Sequence, residues 1–163
     1  MNAMKELKVR DLMTTEVVKL NPTDTIKSAT IKFALENVTG APVVDRRNHV
    51  IGMISENDIL HLILKYQDWL ENDITHHDLL ASHMDVESAD DKVAEAVKKI
   101  SEMTVEKVMT RTVLSTTPDG DIVRVLKDMM RMDVNRLPVL EKGILVGIIS
   151  RSDIIFSIYK RKV

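Results

Sequence analysis

Cysteine is absent from the 163-residue chain, which excludes disulfide bonds, thiolate metal ligands and cysteine nucleophiles. Glycine and proline are scarce, with five and four residues, and the aromatic side chains are one Trp, two Tyr and two Phe. Ten methionines predict an aliphatic and adaptable core instead. The N-terminus is polar and lacks the apolar stretch of a secretory signal, so we expect a cytoplasmic location.

An excess of one charge and long apolar runs are also missing. The 23 Lys and Arg residues nearly balance the 25 Asp and Glu residues, and the net charge of −2 generates no field that attracts nucleic acid. Apolar runs such as Leu62–Leu64 fall far short of the roughly 18 residues that span a bilayer. We therefore expect neither a nucleic-acid nor a membrane partner. Hydrophobic residues at 44% and charged residues at 29% are typical of a folded globular chain.

An internal repeat organises the sequence. Val9–Thr14 resembles Val105–Thr110, an offset of 96 residues (105 minus 9). The prolines keep this offset, and after one residue is lost in a turn it becomes 95 (147 minus 52). The later matching pairs are Gly52/Gly147, Ser55/Ser150 and Asp58/Asp153. Matches in register over about fifty residues indicate two copies of one structural unit.

Each repeat predicts the order β-α-β-β-α. Short strands are expected over Glu16–Leu20 and Thr112–Thr116, and prolines with cap-type residues then favour the start of a helix. The predicted helical faces are Ile26, Ala29, Phe33, Leu35 and Val38 in the first repeat and Ile122, Val125, Leu126, Met129 and Met130 in the second. Two β-branched runs around a polar turn predict a hairpin, and a second helix begins at Ser55 or Ser150. Neither copy covers its sheet alone, so we expect the two copies to pack together.

An acidic segment separates the repeats. Asp68 to Glu95 contains nine acidic residues and one basic residue, Lys92, and has neither glycine nor proline. Helical periodicity predicts helices over Asp58–Trp69 and Ser88–Met103. The segment is therefore expected to be a bracing or dimer-facing helical insert rather than a flexible linker.

The repeated motifs are Met13–Thr14, Ala41–Asp45 and Gly52–Asp58 in the first copy and Met109–Thr110, Arg136–Leu140 and Gly147–Asp153 in the second. They resemble those of the CBS domain, and the pair resembles a Bateman module. The resemblance implies an α/β (α+β) fold of two β-α-β-β-α repeats, residues 8–66 and 104–163, packed as a pseudo-twofold pair. Residues 67–103 form the helical insert. A homodimer of such pairs is also implied.

The resemblance further implies binding of AMP, ADP, ATP or S-adenosylmethionine in clefts between the sheets. The ligand residues it implies are Thr15, Val17, Ala41, Met53, Ser55 and Asp58, with Arg111, Val113, Arg136, Leu137, Ile148, Ser150 and Asp153. Each serine lies at a strand-to-helix junction, which favours an anion, and the aspartate three residues later suits ribose hydroxyls. The same resemblance implies an apolar slot for the adenine ring, lined by Val17, Ala41 and Met53 and by Val113, Leu137 and Ile148. Alternatively, Ser-x-x-Asp is simply a capping box.

The two copies differ in charge beside this motif. Arg111, Arg136 and Arg151 stand where the first copy has Thr15, Gly40 and Glu56. Because guanidinium groups pair well with phosphate oxygens, we expect the second site to prefer phosphorylated ligands and the first to be weaker or to prefer uncharged ones. Alternatively, the three arginines are ordinary solvated charges.

Other candidate sites are weaker. His76, His77 and His83 match no recognised metal-ligand spacing, while His49 and His61 are expected to be surface or packing residues. No arrangement of nucleophile, base and orienting group appears, so we expect neither an enzyme nor an obligatory cofactor. The sequence thus predicts a stand-alone sensor that signals an adenosyl ligand to an effector protein. A ligand-free scaffold of the same fold is the alternative.

Overall fold

The computed structural model describes residues 7–72 and 91–160. The helices in these ranges are α1 (Val9–Leu12), α2 (Ile26–Glu36), α3 (Glu56–Glu71), α4 (Asp91–Glu102), α5 (Val105–Val108), α6 (Ile122–Arg131) and α7 (Arg151–Lys160). The strands are β1 (Gly40–Val44), β2 (Val50–Ser55), β3 (Arg136–Glu141) and β4 (Ile144–Ser150). No helix in the described ranges is both long and apolar enough to cross a membrane.

The helices α2 and α6 begin at the predicted caps. The Thr25 side chain accepts a hydrogen bond from the Ser28 N–H at 3.1 Å, and Asp121 accepts one from the Arg124 N–H at 2.8 Å. Each bond satisfies a backbone donor that has no partner inside the helix. The predicted helix starts after Ser55 and Ser150 are also confirmed, at Glu56 and Arg151.

Two antiparallel hairpins follow the order that the sequence predicts. The strands β1 and β2 pair through a turn in which Asp45 Oδ1 accepts from the N–H groups of Arg47 and His49. The strands β3 and β4 pair through Lys142 and Gly143, which both have positive φ, at 51° and 81°. Positive φ at both central residues gives a two-residue turn that matches the twist of the strands.

The prediction of strands over Glu16–Leu20 and Thr112–Thr116 is wrong. Each is reduced to one parallel bridge, Leu20 with Val43 and Thr116 with Val139. The Leu20 N–H donates to the Pro42 carbonyl at 3.0 Å, and the Thr116 N–H donates to the Pro138 carbonyl at 3.1 Å. In the second repeat the Leu140 N–H returns a bond of 2.8 Å to the Thr116 carbonyl. Because Pro42 and Pro138 have no N–H to donate to the residues before Leu20 and Thr116, the ladder does not extend back along these segments.

The described chain divides into two units that each combine parts of both repeats. We call them the α6–α7 unit, residues 7–19, 44–52 and 111–160, and the α2–α5 unit, residues 20–43, 53–72 and 91–110. In the former, the Val9 N–H donates to the Gly120 carbonyl at 3.0 Å; in the latter, the Val105 N–H donates to the Asp24 carbonyl at 2.8 Å. The first residues of each repeat, 8–14 and 104–110, which we call its arm, therefore pack on the body of the other repeat.

A hydrophobic core in the α6–α7 unit joins its arm to its helices and hairpin. Its buried members are Val9, Ile122, Val125, Met129, Leu137, Val139, Ile149 and Ile154. The predicted helical faces are only partly correct, because Leu35 and Met130 are 79% and 61% exposed and Leu126 also reaches the surface. By contrast, Ile26, Ala29 and Phe33 are buried in the α2–α5 unit as expected.

The described part of the insert is helical, as predicted. Helix α4 packs against α2 and α3, with Val93, Ala96 and Ile100 buried. Lys99 Nζ lies 5.6 Å from the centre of the Trp69 ring and ion-pairs with Glu95. The expected start of this helix at Ser88 lies outside the described residues, as do His76, His77 and His83.

Candidate ligand-binding site

The Ser150–Asp153 pair lies where β4 passes into α7. Asp153 Oδ2 accepts hydrogen bonds from the Ser150 backbone N–H and from Ser150 Oγ, both at 2.8 Å. The Asp153 N–H returns a longer bond of 3.2 Å to Ser150 Oγ. Both side chains are half-buried, so the pair is fixed in orientation but remains partly accessible.

The Ser55–Asp58 pair has the same geometry where β2 passes into α3. Asp58 Oδ2 accepts from the Ser55 N–H at 2.7 Å and from Ser55 Oγ at 3.1 Å, and the capping box is complete. The interpretation of Ser-x-x-Asp as a helix cap therefore describes both repeats. Within the described residues neither aspartate uses its second oxygen, Oδ1, in a hydrogen bond, which leaves an acceptor on each motif.

Strand pairing brings Arg136 next to Ser150. The two residues are direct partners in the β3–β4 ladder, so their side chains lie on the same face of the hairpin. Arg136 is half-buried and Arg111 is exposed, and both belong to the α6–α7 unit. The structure therefore places the Arg136 side chain on the same face of the hairpin as this serine. The corresponding residue of the first repeat, Gly40, has no side chain to offer.

The glycine of the Gly-x-x-Ser motif makes room for the arm of the other repeat. A Cβ at Gly147 would lie 2.8 Å from Met13 Sδ and 3.1 Å from the Thr14 carbonyl oxygen. Thr14 and Ile148 exchange backbone hydrogen bonds of 2.9 Å in both directions. Met53 and Thr110 exchange bonds of 2.9 and 2.8 Å in the same way. The half-buried Ile148 and Met53 thus hold the arms, a function that the sequence interpretation missed.

The residues assigned to the adenine slot have different surroundings. Leu137 is 2% exposed and packs in the core of the α6–α7 unit, and Ala41 is fully buried. These side chains therefore have a packing function that the sequence expectation did not include. Val17 and Val113 are half-buried, and Thr15 is exposed. Thr15 and Val17 belong to the α6–α7 unit, whereas Ala41, Met53, Ser55 and Asp58 belong to the α2–α5 unit.

Arg151 does not accompany Arg136 beside the serine. Its Nε donates to the Val134 carbonyl at 3.0 Å, and its Nη2 donates to the Met129 carbonyl at 3.2 Å. The guanidinium also lies 3.3 Å from Asp133 Oδ1. Arg151 is therefore directed at the C-terminal end of α6, which corrects the expectation that it contributes to phosphate binding.

The described histidines are surface residues. His61 Nδ1 lies 2.7 Å from the Asn57 carbonyl, and His49 Nδ1 lies 3.3 Å from Asp45 Oδ2 in the first hairpin turn. The hydrogen bond from the His49 N–H is the main cause that lowers the pKa of Asp45, with the Arg47 N–H and the His49 charge adding to it. The described residues contain no group of three or more acidic or histidine side chains that could hold a metal ion.

The family model of the CBS domain matches residues 9–65 and 105–160. The chain belongs to the CBS domain family. A relative from Methanocaldococcus jannaschii, the uncharacterized protein MJ1426, is 30% identical over 149 residues, which cover 90% of this chain and 88% of the relative.

Two solved structures share the CBS fold of this chain. The structure of CBSX2 in complex with AMP is 21% identical, with a TM-score of 0.70, and the match covers 96% of this chain and 98% of that one. The CBS domain pair of MJ0100, in complex with 5′-methylthioadenosine and S-adenosyl-L-methionine, is 18% identical, with a TM-score of 0.67 and the same two coverages. At these identities the comparison establishes the fold. The two serine–aspartate junctions lie within the two CBS matches.

Proposed function

We propose that this CBS chain is a regulatory module that binds an adenosyl ligand at the strand-to-helix junctions of its repeats. The geometry of the Ser150–Asp153 pair supports this most directly. Mutual hydrogen bonds hold the two side chains, while Asp153 Oδ1 accepts no hydrogen bond from the described residues. A carboxylate oxygen held in this way suits ribose hydroxyl groups, as in dinucleotide-binding folds.

The ligands of the two fold relatives support the same ligand class. CBSX2 was solved with AMP, and MJ0100 was solved with 5′-methylthioadenosine and S-adenosyl-L-methionine. The adenosyl group is common to all three, whereas a phosphate is present only in AMP. The proposal for this chain is therefore an adenosyl site whose charged residues select among such ligands.

We propose that the site of the second repeat prefers phosphorylated ligands. Arg136 lies opposite Ser150 in the β3–β4 ladder, and Arg111 adds a second positive charge to the same unit. Replacement of Arg136 by Gln should weaken AMP binding by about tenfold, the scale of one charge-assisted hydrogen bond. Binding of 5′-methylthioadenosine, which has no phosphate, should change by less than about twofold. Equal loss of both ligands would contradict the phosphate preference.

The output of the module is proposed to be a shift between two conformations that an effector protein distinguishes. A ligand shifts such an equilibrium only through its different affinities for the two states.

We also propose that the chain acts as a cytoplasmic homodimer. The apolar side chains exposed on α6 and α7 support this, because Met130, Phe156 and Tyr159 are each more than 60% exposed. Sedimentation equilibrium of the full chain tests the dimer directly.

Calorimetric titration tests the ligand class. The full-length protein is titrated with AMP, ADP, ATP and S-adenosylmethionine, after circular dichroism has shown that it is folded. Saturable heat with at least one of these ligands is the expected result. Flat titrations with all four would overturn the proposal.

Complete capping boxes in both repeats favour a second candidate, a ligand-free interaction scaffold. In that case Ser55, Asp58, Ser150 and Asp153 only begin helices, as their hydrogen bonds already allow. If the chain is such a scaffold, adenosyl ligands should leave its melting temperature unchanged. A ligand-dependent rise in melting temperature would contradict it, since a molecule that binds only the folded state stabilises that state.

A further inference from the structure

Arg151 connects the serine–aspartate motif of the second repeat to the end of a neighbouring helix. It follows Ser150 directly, and its guanidinium donates to the carbonyls of Val134 and Met129 at 3.0 and 3.2 Å. The last carbonyl groups of a helix have no partner within the helix, and they form the negative end of the helix dipole, which favours a cation. The Arg151 side chain is 29% exposed, so this connection is largely shielded from solvent.

The first repeat shares several of these backbone hydrogen bonds but lacks the connection. Asn37, the C-cap of α2, and Asp133, two residues after α6, have φ of 54° and 50°, and the N–H groups that follow them donate to the Phe33 and Met129 carbonyls at the same 3.0 Å. The backbone N–H groups of Glu56 and Arg151 likewise donate to the Thr39 and Asn135 carbonyls at the same 2.9 Å. The carboxylate of Glu56 cannot donate to carbonyl groups. At this contact the repeats differ in the side chain at position 56 or 151, and α6 ends one residue earlier than α2, with its C-cap at Met132 rather than at the counterpart of Asn37.

We propose that Arg151 is a positioning residue that couples the Ser150–Asp153 pair to the C-terminal end of α6. This inference rests on the proposed function and specifies which repeat transmits the ligand signal. A ligand that forms a hydrogen bond with Ser150 or Asp153 displaces the first turn of α7. The Arg151 guanidinium transmits that displacement to the Met129 and Val134 carbonyls. The first repeat, with Glu56, binds without this transmission.

Coupling of this kind is reciprocal. If ligand binding tightens the end of α6, an intact end of α6 must strengthen ligand binding by the same factor. Replacement of Arg151 by Met retains most of the side-chain volume but removes every donor. We expect about fivefold weaker AMP binding, at the lower end of measured coupling factors. Replacement by Lys keeps one charged donor and should restore part of the loss.

Hydrogen exchange measured by mass spectrometry tests the coupling in the full chain, with AMP as the probe. The informative peptide spans residues 129–136, because the N–H groups of Met132 and Val134 donate to the Asp128 and Met129 carbonyls. In the native protein AMP should slow exchange in this peptide. In Arg151→Met the difference between AMP-bound and free protein should vanish at saturating AMP, although AMP still binds.

Two controls separate transmission from simple stabilisation. A purely structural Arg151 would raise exchange in Arg151→Met equally with and without AMP, and the AMP-dependent difference would survive; that result would overturn the inference. Glu56→Met should leave the AMP-dependent difference in residues 129–136 unchanged. If the native protein binds AMP without slowing exchange there, the inference fails while the proposed function stands. If it binds no adenosyl ligand at all, the proposed function fails and the inference fails with it.

Discussion

The first and second repeats differ little in backbone hydrogen bonding and much in the charges beside the serine–aspartate motif. Each motif has the same capping bonds, and each arm pairs with the same position of a hairpin, Thr14 with Ile148 and Thr110 with Met53. Arginine replaces Thr15, Gly40 and Glu56 in the second repeat. The repeated residues thus form the hydrogen bonds that the two copies share, whereas the residues that are not repeated are those expected to determine ligand choice and transmission.

The largest expected effect tests whether the two repeats contribute equally to stability. Phe33 and Met129 occupy equivalent positions and are 3% and 0% exposed. Replacement of either by Ala should lower the free energy of unfolding by about 3 kcal/mol, through lost burial and a residual cavity. Leu35→Ala on α2 and Lys127→Ala on α6, both at exposed positions, are the surface controls, with changes within about 0.5 kcal/mol. Denaturant unfolding measures all four variants. If Phe33→Ala or Met129→Ala lowered the free energy of unfolding by only about 0.5 kcal/mol, the two repeats would not contribute equally to stability.

The packing of the arm on the second repeat is tested at Gly147. A methyl group there meets Met13 Sδ and the Thr14 carbonyl, so Gly147→Ala should cost about 2 kcal/mol by overpacking. In a Met13→Ala background the sulfur contact is gone, and the same substitution should cost less. Urea unfolding of the four proteins of this double-mutant cycle measures the coupling. Equal costs in both backgrounds would contradict the close approach of the arm.

The difference at position 151 should also affect stability. Arg151→Met removes two charged hydrogen bonds to backbone carbonyls and should lower the free energy of unfolding by about 1.5 kcal/mol. Asp133→Asn removes only the ion pair, and because the Asp133 side chain is 97% exposed the change should stay within about 0.5 kcal/mol. Thermal unfolding compares the two. A larger loss in Asp133→Asn would show that the ion pair matters more than the carbonyl contacts.

The smallest expected effect distinguishes the two hairpin turns by their response to acid. The hydrogen bond from the His49 N–H lowers the pKa of Asp45 in the folded protein. A lowered pKa contributes stability that is complete above the unfolded value of about 4 and is lost as the pH falls through the folded value. Amide chemical shifts of Arg47 and His49 should therefore titrate below pH 4. Asp45→Asn should abolish this titration, and a midpoint above pH 4 would contradict the lowered pKa.

Local sequence signals predicted much of the fold. Thr25 and Asp121 begin their helices, and the hairpins and second helices lie where the repeat pattern places them. The helical faces were less accurate, because Phe33 and Leu35 are separated by about 200° around a helix and cannot face one core together. The predicted strands Glu16–Leu20 and Thr112–Thr116 failed because the prolines opposite them cannot donate hydrogen bonds.

The remaining features depend on contacts between distant parts of the chain. Val9 gives no local sign that it packs beside Met129 and Ile149, more than a hundred residues away. The Arg151 guanidinium contacts Asp133, a left-handed residue just after α6 that is also remote in sequence. For the candidate site, the sequence predicted the residue types and the capping geometry. The sequence could not show that Leu137 packs in a core or that the Arg151 side chain points away from Ser150 toward the end of α6.

An AMP titration that compares Asp153→Ala with Asp58→Ala tests the proposed difference between the two repeats. Both variants lose one capping aspartate, and Asp121→Ala loses the cap of α6 as a control for stability alone. The native protein and Asp121→Ala should bind AMP saturably, and Asp153→Ala should lose most of that binding. Binding that is lost in Asp58→Ala but retained in Asp153→Ala would contradict the proposed difference between the repeats.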